Sequence, residues 1–272
     1  MGNLDTAFVG AVPELYTRNM GPMFFEPYAA DLANRLNGMI SGNLLETACG
    51  TGILTRALAE ALPEAVAITA TDLNQPMLDF AKLQPDGERV QWQQADAQSL
   101  PFPDQTFDVV VCQFGVMFFP DKEKAYCEVF RVLKPGGRFI FNVWDRLESN
   151  DLSFVVHKTV TEMFSHHPPM FLERTPMGYY DAAKIRADLA HAGFVESTVD
   201  TRKMPCRTPS ARNPALGLIQ GSPLGAEITA RDPSGLDKAV EAATQAIAER
   251  FGSGPIEASM QAHIIIATRP LR

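Results

Sequence analysis

The chain has few of the residues that mark several large classes of protein. Among 272 residues there are only 2 tryptophans and 4 cysteines. Cys49, Cys112, Cys127 and Cys206 form no C-x-x-C pair and stand near no histidine at zinc-finger spacing, so the common structural zinc signatures are excluded. A chain of this length needs no disulfide framework, and small buried thiols in a reducing compartment are expected. No apolar run approaches the roughly 18 residues of a membrane-spanning helix. The opening, MGNLDTAFVG, lacks the basic region and apolar core of a secretory signal. Basic residues are outnumbered, 24 to 32, giving a net charge of −8. Sequence-independent nucleic-acid binding neutralises phosphates with Lys and Arg, so this balance argues against a nucleic-acid partner. There is no internal repeat and no low-complexity tract. What is present is ordinary for a globular protein, 46% hydrophobic and 21% charged. The expectation is a soluble, cytoplasmic protein without a membrane span, a monomer or homodimer, longer than a bare nucleotide-binding core requires.

A β/α alternation begins at Asn43. NLLET reads as a strand, ACGTG as a turn and ILTRALAEAL as a helix. VAITAT is a β-branched strand ending at Asp72. Asn74 stands at the cap position of a helix with Pro76 in its first turn. VQWQQ is a third strand ending before Ala95-Asp96, and FDVVVCQF is a continuous apolar strand of the doubly buried kind. DKEKAYCEVFRVL is a helix stopped by Lys134-Pro135-Gly136-Gly137, followed by the strand RFIFNVW. Five strands separated mostly by helices predict an α/β fold with a doubly wound, mainly parallel sheet, binding ligands at the carboxyl ends of its strands.

The flanks are read more coarsely. Pro27 opens a helix with Tyr28, Leu32 and Leu36 on one face and Gly38 as its stop. Residues 150–165 read as a helix and HHPPMFLERTPMGYY as a loop. Asp181 caps AAKIRADLAHAG, and FVESTVDTRKM reads as a strand. Residues 207–253 hold two or three helices, and PIEASMQAHIIIATRP is the final strand. No linker separates a second domain. The expected division of one domain is a helical lid over 1–42, a core over 43–144, and remaining strands with helical insertions over 145–272.

The chemistry concentrates in Glu46-Thr47-Ala48-Cys49-Gly50-Thr51-Gly52, between a strand and a helix. Glycines there allow close approach of a ligand to the backbone, and the helix start offers unpaired N–H groups to an anion. Thr55 stands where a dinucleotide fingerprint has its third glycine, which weakens a pyrophosphate reading, and no Gly-Lys-Ser/Thr follows for a P-loop. Asp72 lies twenty residues beyond Gly52 at a strand end, where a carboxylate accepts from both hydroxyls of a ribose. Asp96 is placed either to accept from an exocyclic amine or to make a turn.

Taken together, LLETACGTGILTRALA, TATDLNQPMLDFAK and QQADAQSLPFPDQTFDVVVCQFGVMFFPDKEKAYCEVFRVLKPGGRFIFNVW resemble the class I S-adenosylmethionine-dependent methyltransferases, in particular the ubiquinone/menaquinone-biosynthesis and small-molecule subgroup. The resemblance covers residues 43–144. It implies a Rossmann-like sheet of seven mostly parallel strands with an antiparallel last strand, helical lid insertions, and S-adenosylmethionine as cofactor. It places Glu46 and the Gln113 carbonyl at the methionine ammonium, with Phe114 beside them. Thr47, Ala48, Gly50 and Gly52 form the turn facing the carboxylate. Asp72 takes the ribose, Leu73 and Met77 the adenine face, and Asp96 with the Ala97 N–H the adenine edge. Tyr16 and Arg18 match positions that close over the methionine end. One departure is Glu46-Thr47-Ala48-Cys49, where the family more often has Asp-x-Gly-Cys.

The family has no fixed catalytic residue, because a general base is needed only where the acceptor loses a proton. His157 is the candidate base here, with His166 and His167 nearby in sequence. Phe24, Phe25, Tyr28, Met117, Phe118 and His157 are candidates to line an acceptor site of apolar or aromatic character. No metal is expected: Gln113 and Phe114 stand where a carboxylate cluster would begin, and Asp145 is a lone acid. The alternatives are a non-catalytic cofactor-binding module, a dinucleotide oxidoreductase, and a methyltransferase acting on RNA or protein.

Overall fold

β-Branched and aromatic runs form the strands of a seven-stranded sheet in the computed structural model, which describes residues 12–85 and 87–271. The strands are β1 (Gly42–Thr47), β2 (Val66–Asp72), β3 (Val90–Gln94), β4 (Phe107–Gln113), β5 (Leu133–Trp144), β6 (Glu196–Thr208) and β7 (Ile256–Thr268). Their spatial order is β3-β2-β1-β4-β5-β7-β6. The first five run parallel, with Leu45 opposite Thr69 and Val110, and Val110 opposite Phe139. β7 runs antiparallel to both β5 and β6. This is the doubly wound, mainly parallel sheet that the strand-helix alternation predicts, in the Rossmann-like form with an antiparallel last strand that the resemblance implies. Leu44, Val110, Phe139 and Ile140 are fully buried, as central parallel strands covered on both faces require.

The contacts group the chain into two compact units. One takes the residues up to Pro27 with Trp144–Gly178 and Lys203–Gln261; the other takes Tyr28–Val143, Tyr179–Arg202 and the residues from Ala262 onward. Residues 28–42 therefore cluster with the β1–β5 core rather than with the helix before them.

In the core unit, α2 (Glu26–Asn34), α3 (Ile53–Ala61), α4 (Gln75–Lys82), α5 (Lys122–Val132) and α8 (Ala182–His191) accompany the strands. Asp121 and Asp181 cap α5 and α8 by accepting backbone N–H groups of the first turn. Tyr28, Leu32 and Leu36 are buried together as the periodicity predicts, but α2 ends at Asn34, ahead of Gly38, which adopts no left-handed conformation. Arg131 on α5 fastens the proline-rich loop before β4. Its guanidinium donates to the carbonyls of Leu100 and Phe102 at 2.9 and 2.7 Å and pairs with Glu128 and Asp104.

The other unit is helical: α1 (Val12–Met20), α6 (Asp151–Met163), α7 (Phe171–Arg174), α9 (Arg212–Gln220), α10 (Leu224–Arg231) and α11 (Gly235–Phe251). A π-helical turn at Gly21–Phe25 follows α1. Gly217 lets α9 approach α1, since a Cβ there would lie 2.7 Å from Met20. The segment read from sequence as a loop, HHPPMFLERTPMGYY, contains α7. Its helical turn is held from another helix: Glu227 accepts the Met170 N–H at 3.0 Å and pairs with Arg174 at 2.8 Å. Among the described residues no helix is long and apolar enough to cross a membrane.

Candidate functional site

β1 lies between β2 and β4, so the winding of the sheet reverses beside it. The carboxyl ends of the parallel strands β1 to β4 share one edge, and a ligand site is expected at that switch point.

The chain leaves β1 at Thr47 and enters α3 at Ile53 through a turn with three left-handed residues: Ala48 at φ 51°, Gly50 at 55° and Gly52 at 79°. Gly52 is required twice over, by its φ and by crowding, since a Cβ would sit 3.1 Å from Trp92 and 3.2 Å from Ala81. A Cβ on Gly50 would meet nothing within 4 Å, so the backbone there is open to a ligand. Thr51, between them, is buried with its hydroxyl unpartnered among the described residues. Alanine at 48 occupies a conformation that glycine adopts freely.

Asp72 ends β2 and ties the turn in place. Its Oδ2 accepts the Gly50 N–H and its Oδ1 the Asn74 N–H, both at 2.8 Å. The Asp72 carbonyl accepts the Ala95 N–H beyond β3, and the Thr71 carbonyl the Cys49 N–H. Asn74 does stand at the cap of α4, but its side chain makes no cap bond and turns back to Asp72 at 3.4 Å. Burial raises the Asp72 carboxyl above its ordinary range, and the backbone N–H groups of Asn74 and Gly50 oppose that shift. Each Asp72 oxygen keeps acceptor capacity beyond its backbone partner. Beside it Leu73 is 51% exposed, a large apolar side chain left facing solvent, while Met77 is buried.

Glu46 is 1% exposed, and its Oε2 accepts the Thr55 hydroxyl at 2.6 Å. Burial pushes its carboxyl up to about 8, against the pull of Thr55. Between its ordinary value and about 8 the folded protein holds a proton that the unfolded chain has released, so stability falls as pH rises through that window. Glu46→Gln removes this slope: its melting temperature is expected to exceed that of the wild type by a margin that grows from acidic pH to above pH 8. Parallel melting-temperature profiles for the two proteins would refute the buried, proton-bearing Glu46.

Asp96 lies two residues past β3, not at its end. Its Oδ1 accepts the Gln98 N–H at 2.8 Å, so it also makes the turn. Ala97 is buried next to it. At the end of β4, Gln113 is half-buried and Phe114 is held at φ 48°. The Phe114 N–H donates to Oδ1 of Asn142 at 2.9 Å, while the buried Nδ2 of Asn142 has no partner among the described residues.

Glu46, Thr47, Ala48, Gly50, Gly52, Asp72, Leu73, Met77, Asp96, Ala97, Gln113 and Phe114 thus all belong to the core unit at the carboxyl ends of β1–β4. Tyr28, Met117 and Phe118 are in the same unit. Tyr28 is buried, donates to the Arg202 carbonyl at 2.8 Å and meets the Phe114 ring edge-on. Met117 is buried and Phe118 half-buried. Tyr16, Arg18, Phe24, Phe25 and His157 belong to the other unit. There Tyr16 stacks on Phe25 at 4.7 Å, Phe24 and Phe25 meet Trp144, and Arg18 is exposed. His157 lies 3.3 Å from Glu173; burial lowers its pKa, and Glu173 and Glu148 raise it. A group with metal-ligating atoms, Glu123, Asp188 and His191, lies on α5 and α8, where Asp188 is already engaged by Tyr179 and Lys184.

In the sequence alone Thr55 reads only as a missing glycine, and nothing marks Asn142. A polar residue at the buried face of α3, among Ile53, Leu54 and Leu58, was the available signal for the first.

The site fits an adenosine-bearing amino acid: an open left-handed turn, a strand-end carboxylate beside an exposed apolar side chain, and a buried carboxyl. Residues 45–141 match the family described as a methyltransferase domain. Over these residues the chain carries a methyltransferase domain of the class I S-adenosylmethionine-dependent kind. It is similar to the demethylmenaquinone methyltransferase of Thermus thermophilus, 46% identical over 36% of this chain and 44% of that protein. It is also similar to the ubiquinone/menaquinone biosynthesis C-methyltransferase UbiE of a Marinomonas species, 39% identical over 44% of this chain and 49% of that one. The match therefore spans less than half the length of these relatives. Among solved structures, the fold resembles phosphoethanolamine N-methyltransferase 2 of Haemonchus contortus in complex with S-adenosyl-L-methionine, with a TM-score of 0.63 at 17% identity, covering 98% of this chain and 59% of that one. It also resembles the YcgJ protein of Bacillus subtilis, with a TM-score of 0.58 at 18% identity, covering 90% and 99%.

Proposed function

We propose that the protein transfers a methyl group from S-adenosylmethionine to a small-molecule acceptor of apolar or aromatic character, with a quinone precursor the first acceptor to test. The observation that carries this reading is the convergence of the left-handed turn 48–52, Glu46, Asp72 and the β4 exit at Gln113–Phe114 on one edge of the parallel sheet.

The residues divide the cofactor between them. The open backbone at Gly50 and the N–H groups at the start of α3 face its carboxylate. Glu46 and the Gln113 carbonyl take the ammonium. Asp72 takes the ribose hydroxyls with the acceptor capacity its backbone partners leave free. Leu73 and Met77 cover the adenine, and Asp96 with the Ala97 N–H reads its edge. The bound cofactor supplies an activated methyl on a sulfonium, and the protein supplies orientation and exclusion of water. A proton acceptor is needed only where the acceptor must lose a proton; a neutral amine needs none at the attack step.

The test is titration of the purified protein with S-adenosylhomocysteine, followed by methyl transfer from S-adenosylmethionine to a demethylated menaquinol and to simple phenols. Binding with turnover of an aromatic acceptor is expected. Absence of binding overturns the reading, and binding without turnover of any acceptor leaves a non-catalytic binding module.

A further inference from the structure

Among the described residues, Glu46 is a buried acid with one hydroxyl partner and no positive charge at hydrogen-bond distance. Thr55 reaches it across the turn from the first turn of α3. Both side chains are withdrawn from solvent, with Thr55 at 0% and Glu46 at 1% exposure. The charged groups that act on Glu46 come from each element around it: Arg56 on α3 favours its ionised form, and Asp72 on β2 opposes it. The thiols of Cys49, in the turn, and Cys112, on β4, are coupled to Glu46 as well, but burial holds both protonated. Below about pH 8 an acid in that setting stays mostly neutral until a cation enters beside it.

We propose that Thr55 is a positioning residue that fixes the Glu46 carboxyl as a proton-exchanging receptor for the α-ammonium of the cofactor. The inference rests on the methyltransferase reading above. As the ammonium arrives, the O–H bond of the Glu46 acid breaks, the proton passes to the solvent buffer, and the carboxylate left behind pairs with the ammonium. Capture of the amino-acid end of the ligand therefore releases a proton, while capture of the adenosine end releases none. Thr55, by donating to Oε2, holds the carboxyl in one rotamer and favours the ionised form that the ammonium requires.

Two probes separate the ends of the ligand. S-adenosylhomocysteine carries both the adenosine and the amino-acid moiety. 5′-Methylthioadenosine carries the adenosine and lacks the ammonium and carboxylate. Calorimetric titration in buffers of different ionisation enthalpy counts the protons exchanged. For S-adenosylhomocysteine, close to one proton released per ligand is expected at about pH 6.5, declining and then turning to uptake above about pH 9, where the free ligand's α-amino group has lost its proton and must regain it to bind as the ammonium. For 5′-methylthioadenosine none is expected at either pH, which also controls for exchange at Asp72 under the ribose. Glu46→Gln abolishes the release. Thr55→Val is expected to weaken S-adenosylhomocysteine by about tenfold or more, which at 1.4 kcal/mol per decade is about 1.4 kcal/mol, while leaving 5′-methylthioadenosine within about twofold. Thr55→Ser restores the affinity.

A binding enthalpy for S-adenosylhomocysteine that is the same in every buffer overturns the proposal while the methyltransferase reading stands. So does equal weakening of both probes by Thr55→Val, which would mark Thr55 as a packing residue. If neither probe binds the wild type, the methyltransferase reading falls and this inference with it.

Discussion

Asp72→Ala is expected to loosen the glycine turn and abolish tight binding of S-adenosylhomocysteine in one step. The carboxylate accepts the Gly50 N–H and the Asn74 N–H at 2.8 Å each, so it joins the β1–α3 turn to the start of α4. Alanine leaves both donors without their partner. Gly50 and Asn74 are half-buried, so water replaces part of each bond, and a destabilisation of about 2–3 kcal/mol is expected. Loss of the ribose acceptor should weaken the ligand by a further 1–3 kcal/mol, roughly 5- to 150-fold. Thermal unfolding and calorimetric titration measure the two losses separately. Asp72→Asn keeps one carbonyl oxygen and should fall between wild type and alanine in both. Unchanged affinity in Asp72→Ala would remove Asp72 from the ribose site, whatever happened to stability.

The second large effect is steric. A Cβ on Gly115 would lie 2.6 Å from the Ala48 Cβ and 2.7 Å from the Cys112 Sγ, so the exit of β4 and the turn after β1 meet with no room for a methyl group. Gly115→Ala is expected to cost about 3 kcal/mol, the upper end for overpacking, because the Ala48 Cβ is fixed to the backbone and cannot swing aside. Ala48 is itself at φ 51°, so Ala48→Gly alone should stabilise by about 1 kcal/mol. The double variant tests whether these two residues meet. It should recover more than the sum of the single effects by about 1 kcal/mol, with the Cys112 contact remaining. Strict additivity in a denaturation series would mean that the turn and the β4 exit do not touch as described.

These two predictions act on the same edge of the sheet, and they differ in how far the sequence anticipates them. Asp72 is legible in sequence because it follows a β-branched strand at a fixed distance from the glycines. The contact of Gly115 with Ala48 is not, because the two are distant in sequence and only the pairing of β1 with β4 brings them together. The same holds for the other site groups that sequence reasoning passed over. Thr55 reads as a missing glycine until α3 folds back over Glu46. Asn142 reads as an ordinary residue near a strand end until β5 aligns with β4 and its amide takes the Phe114 N–H. The α7 turn is invisible in a proline-rich run because Glu227, on α10, holds it in place.

What the sequence by itself determined is therefore the local part: the five strands and their helices from residue 43 to 144, the open turn at Gly50 and Gly52, the cap at Asp181, and the acid at the end of β2. Each follows from side-chain periodicity, backbone freedom or a neighbour within a few residues. The tertiary structure alone decided the insertion of β7 between β5 and β6, the division into two units, the left-handed conformations of Ala48 and Phe114, and the Thr55–Glu46 pair. Those depend on pairings between distant segments, whose free energy comes from burial and hydrogen bonds that no local window of sequence contains.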